Sequence, residues 1–312
     1  MNINSLESNF FDMTNPIISV LLPVYNAEHY IYESINSILK QTVTNFEFII
    51  IDDCSTDNSL EIIKLFDDKR ILVFKNEKNL GISETLNFGV SKAKGKYIAR
   101  MDADDVACVD KFENQLKVFS ENKKLVVCGT NAYVLGTSNV IKVPENHQDI
   151  LEGFFVKNMI IHPTVMIRKD VFDQLKYEKE DEPAEDFSLW TKLILRGAFY
   201  NIQKPLLHYR IHQESISSIH KTYQKQKHAT SIFNFFLSLN PSIPINTKKD
   251  FLEFSQTGKI ESLSKLKSLV IIFLKLKKNK AGISLSKKIT IQIALLIYEF
   301  IKQKIIIKNP KT

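Results

Sequence analysis

Apolar residues come in short bursts along the first third of the chain, and a polar cluster follows most of them. Residues 17–22 (IISVLL) are continuously apolar and β-branched, which suits a strand buried on both faces. Pro23 is expected to end it. Between residues 28 and 41, Ile31, Ile35, Ile38 and Leu39 recur at helical spacing. A second buried strand is read at residues 46–51 (FEFIII), stopped by Asp52 and Asp53. Asp57 or Asn58 can cap a helix reaching Phe66. A third strand at 71–74, a helix capped by Ser83 and running to about Ala93 before Gly95 stops it, and a fourth strand at 97–101 continue the alternation. Asp110 then opens a helix to Ser120. Strands alternating with amphipathic helices predict an α/β fold with a parallel, doubly wound sheet.

After residue 124 the pattern changes. Residues 125–143, with Gly129, Gly136 and Asn139, read as a hairpin. A helix is expected at 149–158, a strand at 162–168 (HPTVMIR), and a helix at 185–196 (EDFSLWTKLILR) stopped by Gly197. Residues 201–212 read as extended, with Pro205 breaking the run. Beyond His220 the pattern is helical and rich in lysine, with a Pro-containing joint at 240–246.

Charge divides the chain. The net charge of +7 hides a basic segment, residues 220–312, with 18 Lys and Arg against 4 Asp and Glu. The remainder is net acidic. A nucleic-acid binder with one continuous basic surface would not look like this, so no nucleic-acid partner is expected. The basic segment suits either an anionic membrane face or a solvated helical appendage. In residues 261–280 and 286–308, apolar residues alternate with lysines over lengths suited to interfacial helices. No apolar run is long enough to span a bilayer, and residues 1–15 lack a signal-peptide core. Three scattered cysteines give neither a disulfide framework nor a zinc site and fit a reducing compartment. A cytoplasmic protein, peripheral at the inner face of the plasma membrane, is therefore expected. At 44% hydrophobic and 25% charged residues, a disordered or coiled-coil chain is excluded.

In open parallel sheets the ligand lies beyond the carboxyl ends of the strands. Three polar clusters fall there: residues 23–26, 52–57 and 102–105. The run Met101-Asp102-Ala103-Asp104-Asp105 sets three carboxylates in four residues, which suits a hard divalent cation bridging to phosphate, or simply an acidic turn before a helix. Residues 52–57 (DDCSTD) can accept hydrogen bonds from a base or ribose, or serve as a capping loop. Tyr25 is placed to stack on a nucleobase or to end a strand. Glu185 and Asp186 open a helix, where a carboxylate stays ionised and can take a proton from an alcohol; acidic residues also favour that position without any chemistry. Residues 209–212 (YRIH) bring a cation and a possible metal ligand together. Neither GxGxxG nor GxxxxGK[ST] is present, so dinucleotide dehydrogenases and P-loop NTPases are excluded.

The order of these elements resembles the inverting family 2 glycosyltransferases of bacterial surface-polysaccharide synthesis. The likeness rests on SVLLPVYN (19–26), FEFIIIDDCSTDNS (46–59), NLGISETLNFGVSKAKGKYIARMDADD (79–105), HPTVMIR (162–168), EDFSLW (185–190) and YRIHQESIS (209–217). It implies the GT-A fold: a Rossmann-like, mostly parallel sheet flanked by helices, here with a helical basic C-terminal extension. The implied organisation is an N-terminal extension (1–16), a catalytic domain (17–219) with a nucleotide-binding half (17–110) and an acceptor half (111–219), and the basic region (220–312). The resemblance further implies that Pro23, Tyr25 and Asp53 line a nucleobase pocket supported by Glu28. Arg100 and Asp102 would lie near the ribose and diphosphate. Asp104, with His212, would hold Mn²⁺ or Mg²⁺, and Asp186 would be the catalytic base. Glu185, Trp190 and His162 would shape the acceptor side. The co-substrate would be a nucleotide-diphosphate sugar and the acceptor a glycan or lipid-linked glycan. A nucleotidyltransferase is the rival enzyme class, but PVYNAEHY (23–30) lacks the glycine-rich basic loop it needs. A non-catalytic nucleotide-sugar-binding protein would not need both metal-type and base-type carboxylates.

Overall fold

The structure, a computed structural model, describes residues 15–211, 221–260 and 262–277; His212 and the segment 286–308 lie outside them. Strands β1 (Ile18–Val24), β2 (Phe46–Asp52), β3 (Ile71–Lys75) and β4 (Tyr97–Arg100) are parallel, in the order β3-β2-β1-β4. Alternation along the pleat sorts their side chains between two apolar layers. Leu21, Ile49 and Ile51 pack with Leu86 of α3 (Ile82–Lys92) on one face. Val20, Leu22, Phe48 and Ile50 pack on the other, with Ile31, Ile35 and Ile38 of α1 (Ile31–Leu39), Ile63 of α2 (Ser59–Ile63), and Phe112 and Phe119 of α4 (Lys111–Glu121).

Pro23 does not end the first strand. It pairs in register with Ile51, and β1 runs on to Val24. Leu21 accepts the backbone N–H of Met101, so Leu21 and, two residues on, Pro23 face the β4 side. The β4 ladder ends at Leu21, so the missing proline N–H costs no bond there. Nor does Ser83 cap α3. Gly81, at φ 90°, precedes the helix, and the Ser83 N–H is capped by Glu182 Oε1 at 2.9 Å.

The sheet continues from β4 through β8 (Met166–Arg168), β6 (Leu125–Val134), β9 (Ala198–Tyr209) and β5 (Val106–Ala107), with β7 (Val140–Ile141) hairpinned to β6. β8 is antiparallel to both neighbours, whereas β6 and β9 are parallel. The expected strand at 162–168 is half a 3₁₀ turn, His162–Thr164, because Pro163 cannot donate to a ladder. Pro205 does not break β9; the chain absorbs it as a register shift where Asn131 pairs with it. The helix expected at 149–158 is α5 (His147–Gly153), capped by Asn146. A short α6 (Lys169–Phe172) follows β8, and α7 (Glu185–Leu193) carries the acidic pair.

The C-terminal helices α8 (Lys221–Leu239), α9 (Lys248–Thr257) and α10 (Leu263–Lys277) are built into the molecule. Ile232, Phe233, Phe235, Phe236, Phe251, Ile272 and Leu276 share one apolar cluster with Phe187 and Trp190 of α7 and Leu21 of β1. Thus, as far as it is described, the basic region is no detached appendage. No helix among the described residues is long and apolar enough to cross a membrane.

At the amino end of the sheet a buried polar knot fixes β1, β2 and the turn into β4. Ser19 Oγ donates to Glu47 Oε1 at 2.6 Å and accepts the Gly95 N–H at 2.8 Å. A Cβ at Gly95 would stand 2.5 Å from the Ser19 backbone nitrogen, which cannot retreat without breaking the β1 ladder. Gly95→Ala is therefore expected to destabilise the fold by about 1–3 kcal/mol, read as a lowered denaturation midpoint.

Candidate active site

The loops after β1 and β2 are stitched to each other. The Asn26 N–H donates to Ser55 Oγ (3.0 Å) and Asn26 Oδ1 accepts from the Thr56 N–H (2.8 Å). The Ala27 N–H donates to Ser59 Oγ (2.7 Å) and the Glu28 N–H to Asp57 Oδ2 (2.9 Å). Glu28 Oε2 in turn accepts from the backbone N–H and Nδ2 of Asn58, which makes Glu28 a brace between the loops. Both turns use left-handed backbone, at Asn26 (φ 50°) and Cys54 (φ 63°), a conformation that costs non-glycine residues energy and persists where surrounding bonds enforce it. Tyr25, 51% exposed, stands at the mouth.

Of the two aspartates closing β2, Asp53 is already engaged. Its Oδ1 accepts from Asn76 Nδ2 (2.7 Å) and the Leu80 N–H (2.9 Å), and its Oδ2 from the Gly81 N–H (3.0 Å). Asp53 therefore shapes the rim by holding the β3–α3 loop. Asp52 is fully buried, and its Oδ2 has no hydrogen-bond partner.

Beyond β4 stands the charge centre. Arg100 is 3% exposed; its Nη2 lies 2.6 Å from Asp102 Oδ1, and its Nη1 donates to the Met101 carbonyl. Carboxylate oxygens of Asp102, Asp104 and Asp105 all fall within 4.8 Å of one another. Burial, then repulsion by Asp102 and Asp104, pushes the Asp105 carboxyl up to about 9. Its Oδ1 accepts the Arg210 N–H at 2.8 Å, while its buried Oδ2 has no partner. Three convergent hard oxygens with an unpartnered buried one fit a divalent cation such as Mg²⁺ or Mn²⁺.

Two cations hold this loop, and the sequence pattern gave neither a role. Arg210 Nε donates to the Asp104 carbonyl (2.7 Å), its Nη2 pairs with Glu33 (3.0 Å), and its guanidinium lies 4.5 Å over the Tyr30 ring. Lys111 is completely buried; its Nζ donates to the carbonyls of Arg100 (3.2 Å) and Pro163 (2.7 Å). Burial lowers its ammonium to about 7, although Asp105 opposes the shift. Arg210 was visible as part of YRIH. Lys111 gave no signal, since a lysine opening an amphipathic helix reads as exposed.

The acidic pair of α7 faces the same centre. The segment before it lies along α3: Asn87 Nδ2 donates to the Tyr177 carbonyl, and the Tyr177 N–H donates to Asn87 Oδ1. Glu182 then caps α3, as described above. Asp186 Oδ2 accepts from Asn158 Nδ2 at 2.9 Å, and Oδ1 from the Phe187 N–H at 2.6 Å. Burial raises the Asp186 carboxyl, opposed by His228, by both hydrogen bonds and by Arg100. Glu185 is 8% exposed with an unpartnered Oε2, and burial plus the neighbouring Asp186 pushes it up to about 8. His162, part-buried, has its Nε2 3.0 Å from the Tyr177 hydroxyl and its ring edge-on to Trp190. Burial and Arg100 hold that imidazole well below its usual range, hence neutral. Trp190 is fully buried in the core, and its ring meets His162 edge-on.

The geometry thus sets Pro23, Tyr25, Glu28, Asp53, Arg100, Asp102 and Asp104 at the carboxyl edge of the parallel strands, while Glu185, Asp186 and His162 feel the charge of Arg100 and Trp190 packs against His162. Residues 19–179 match the family model for glycosyl transferase family 2. The chain belongs to that family. An uncharacterized glycosyltransferase of Haemophilus influenzae is 35% identical over 68% of this chain and 70% of its own. The putative teichuronic acid biosynthesis glycosyltransferase TuaG of Bacillus subtilis is 34% identical over 66% and 84% respectively. Among solved structures, Staphylococcus aureus TarS in complex with UDP-GlcNAc superposes with a TM-score of 0.60 at 21% identity, covering 83% of this chain and 81% of that one. The fold of this glycosyltransferase is accordingly GT-A.

The contrast between Asp53 and Tyr25 can be checked without knowing the substrate. Asp53→Ala strands an amide side chain and two backbone N–H groups, so a melting temperature lowered by several degrees is expected. Tyr25→Ala, at an exposed mouth, should leave melting within about a degree.

Proposed function

We propose that this family 2 member is an inverting, metal-dependent glycosyltransferase. It moves a sugar from a UDP-hexose or UDP-N-acetylhexosamine to a hydroxyl of a glycan or lipid-linked acceptor in cell-surface polysaccharide synthesis. The observation that carries the reading is that buried Arg100 pairs with Asp102 at 2.6 Å while Glu185, of the acidic pair on α7, also acts on its charge. Donor chemistry and base chemistry then meet at one buried cation. TuaG's name supports the polysaccharide class, and the TarS complex supports a UDP-sugar.

The donor lies across the rim built by Pro23, Tyr25, Asp52, Asp53 and Glu28, with its diphosphate toward Arg100 and Asp102. A divalent cation held by Asp104 with Asp102 and Asp105 would neutralise charge on the departing nucleoside diphosphate. His212, two residues beyond Arg210, is proposed as a further ligand. Asp186 takes the proton of the acceptor hydroxyl. The hydroxyl oxygen bonds to the anomeric carbon on the face opposite the diphosphate, and the electron pair of the breaking C–O bond leaves with the diphosphate. One displacement inverts the centre, so an α-linked donor gives a β-glycoside. Glu185 and His162 border the acceptor side, and Arg100 offsets charge on both.

Thermal-shift measurements with UDP-, GDP- and TDP-sugars, with and without Mn²⁺, test the donor site. One nucleotide class should raise the melting temperature, only with Mn²⁺ and not in Asp104→Ala. The reading fails if no donor shifts it or if Asp104→Ala responds equally. Asp186→Asn should cut turnover by about 10²–10⁴ while keeping the donor shift. Because burial raises the Asp186 carboxyl and only its ionised form accepts a proton, turnover should rise with pH through a limb above the ordinary carboxylate range.

Membrane contact belongs to the same proposal. α10 leaves Leu263, Ile271 and Leu274 exposed, with Lys267 exposed among them. On this reading the face rests on anionic lipid at the inner side of the plasma membrane. Replacing the three apolar residues by serine should abolish sedimentation with phosphatidylglycerol vesicles; unchanged sedimentation contradicts it. Truncation at residue 260 is the wrong test, since Ile272 and Leu276 belong to the core.

A further inference from the structure

Helix α8, from the basic region, grips the segment that carries the acidic pair. Gln224 Nε2 donates to the Pro183 carbonyl at 2.9 Å, and Lys227 Nζ donates to the Glu180 carbonyl. His228 follows on the same helical face, four residues beyond Gln224. Its ring packs edge-on against Phe187, with centroids 5.1 Å apart and planes at 62°. Phe187 is the residue whose N–H holds Asp186 Oδ1, and Asn158 holds the other oxygen. Through that contact the imidazole is held next to the residue that follows Asp186, and each of the two groups acts on the other's charge.

We propose that His228 is a positioning residue for Asp186: it fixes the carboxylate through Phe187 and receives the proton that Asp186 removes from the acceptor. This rests on Asp186 being the base. The proton passes from the acceptor hydroxyl to Asp186, then through one bridging water to the imidazole of His228, and from the imidazolium to solvent. The carboxylate is thereby restored, and the electron pair of the broken C–O bond stays with the diphosphate. On this account the C-terminal region completes the active site.

The charged surroundings are few. Burial lowers the His228 imidazole and Asp186 raises it. Asp186 is in turn faced by Arg100, and it bears on Glu185, Tyr177 and Asp102. In the gripped segment, Asp181 is bonded to Ser188, Glu182 to the Ser83 N–H, and Lys227 to the Glu180 carbonyl. Lys225 of α8 donates to the Gln256 carbonyl, and Lys248 of α9 lies over the Phe233 ring.

Two measurements on the full chain test the pair. The first follows the seven histidine imidazoles by NMR through a pH titration, in the wild type and in Asp186→Asn. Removing the carboxylate should lower the His228 midpoint by about half a pH unit or more and leave that of distant His29 in place. An unmoved His228 midpoint overturns the proposal. The second is Mn²⁺-dependent UDP release from UDP-GlcNAc with water as acceptor. His228→Leu, which keeps apolar packing against Phe187, should lower kcat about tenfold with donor KM within about twofold. His228→Gln checks that the loss follows the imidazole and not the packing, and should lose as much. In the Asp186→Asn background neither change should lower the rate further, because the two residues act as one unit. Losses that multiply, or a fully active His228→Leu, overturn the proposal. A fully active Asp186→Asn instead removes the base reading, and the two failures are thereby distinguished. If UDP-GlcNAc is not hydrolysed, the NMR midpoint decides.

Discussion

The architecture of this glycosyltransferase turns on one buried cation. Arg100 ends β4 almost wholly out of water, and a guanidinium there is tolerable only where acids and carbonyls surround it. Asp102 supplies the direct pair and Met101 a carbonyl, while Glu185 adds to the favourable field. The acids need Arg100 equally, because Asp102, Asp104 and Asp105 crowd one loop and Glu185 and Asp186 another. Without a cation between them these loops would repel and rehydrate. Burial, aided by the same charge, keeps His162 neutral, and its contact with the Tyr177 hydroxyl ties the 3₁₀ turn after α5 to the site.

Around that centre, rigidity comes from bonds between loops far apart in sequence. Asp53 fastens the β3–α3 loop, Glu182 reaches back about a hundred residues to cap α3, and Glu28 braces the β2–α2 loop. The Asp53 brace occupies a carboxylate that a motif-based reading would assign to ligand binding. Asp53 and Glu28 thus act on the proposed nucleotide pocket through the backbone they hold. Asp52, with one buried oxygen unpartnered, is the carboxylate here with capacity left over. Preorganisation of this kind costs the enzyme no reorganisation when charge develops on the leaving group.

Much of this was legible from the residue pattern. The bursts at 17–22, 46–51, 71–74 and 97–101 are strands because β-branched residues buried on both faces have few alternatives, and the rim clusters follow from parallel order. What escaped depended on distant partners. Pro23 reads as a stop until the end of the β4 ladder is known. Ser83 reads as a cap until Glu182 arrives from the other half of the chain. Lys111 looks like a surface lysine because nothing local announces the two carbonyls that bury it. The lysine-rich helices read as an appendage because their charges are conspicuous, whereas the aromatic stripe of α8, with Phe233, Phe235 and Phe236, decides where they pack. His228 is hidden for the same reason, since its meaning lies in Phe187 and Asp186.

On the proposed mechanism a single displacement occurs at the anomeric carbon, with Asp186 taking the acceptor proton under the influence of buried Arg100. The most direct measurement is the configuration of the sugar first released when an α-linked UDP-sugar is hydrolysed in Mn²⁺, followed by proton NMR before mutarotation. The account predicts the β-anomer first, with release abolished in Asp186→Asn. An α-anomer formed first would mean retention, and with it a second nucleophile and a different role for Asp186.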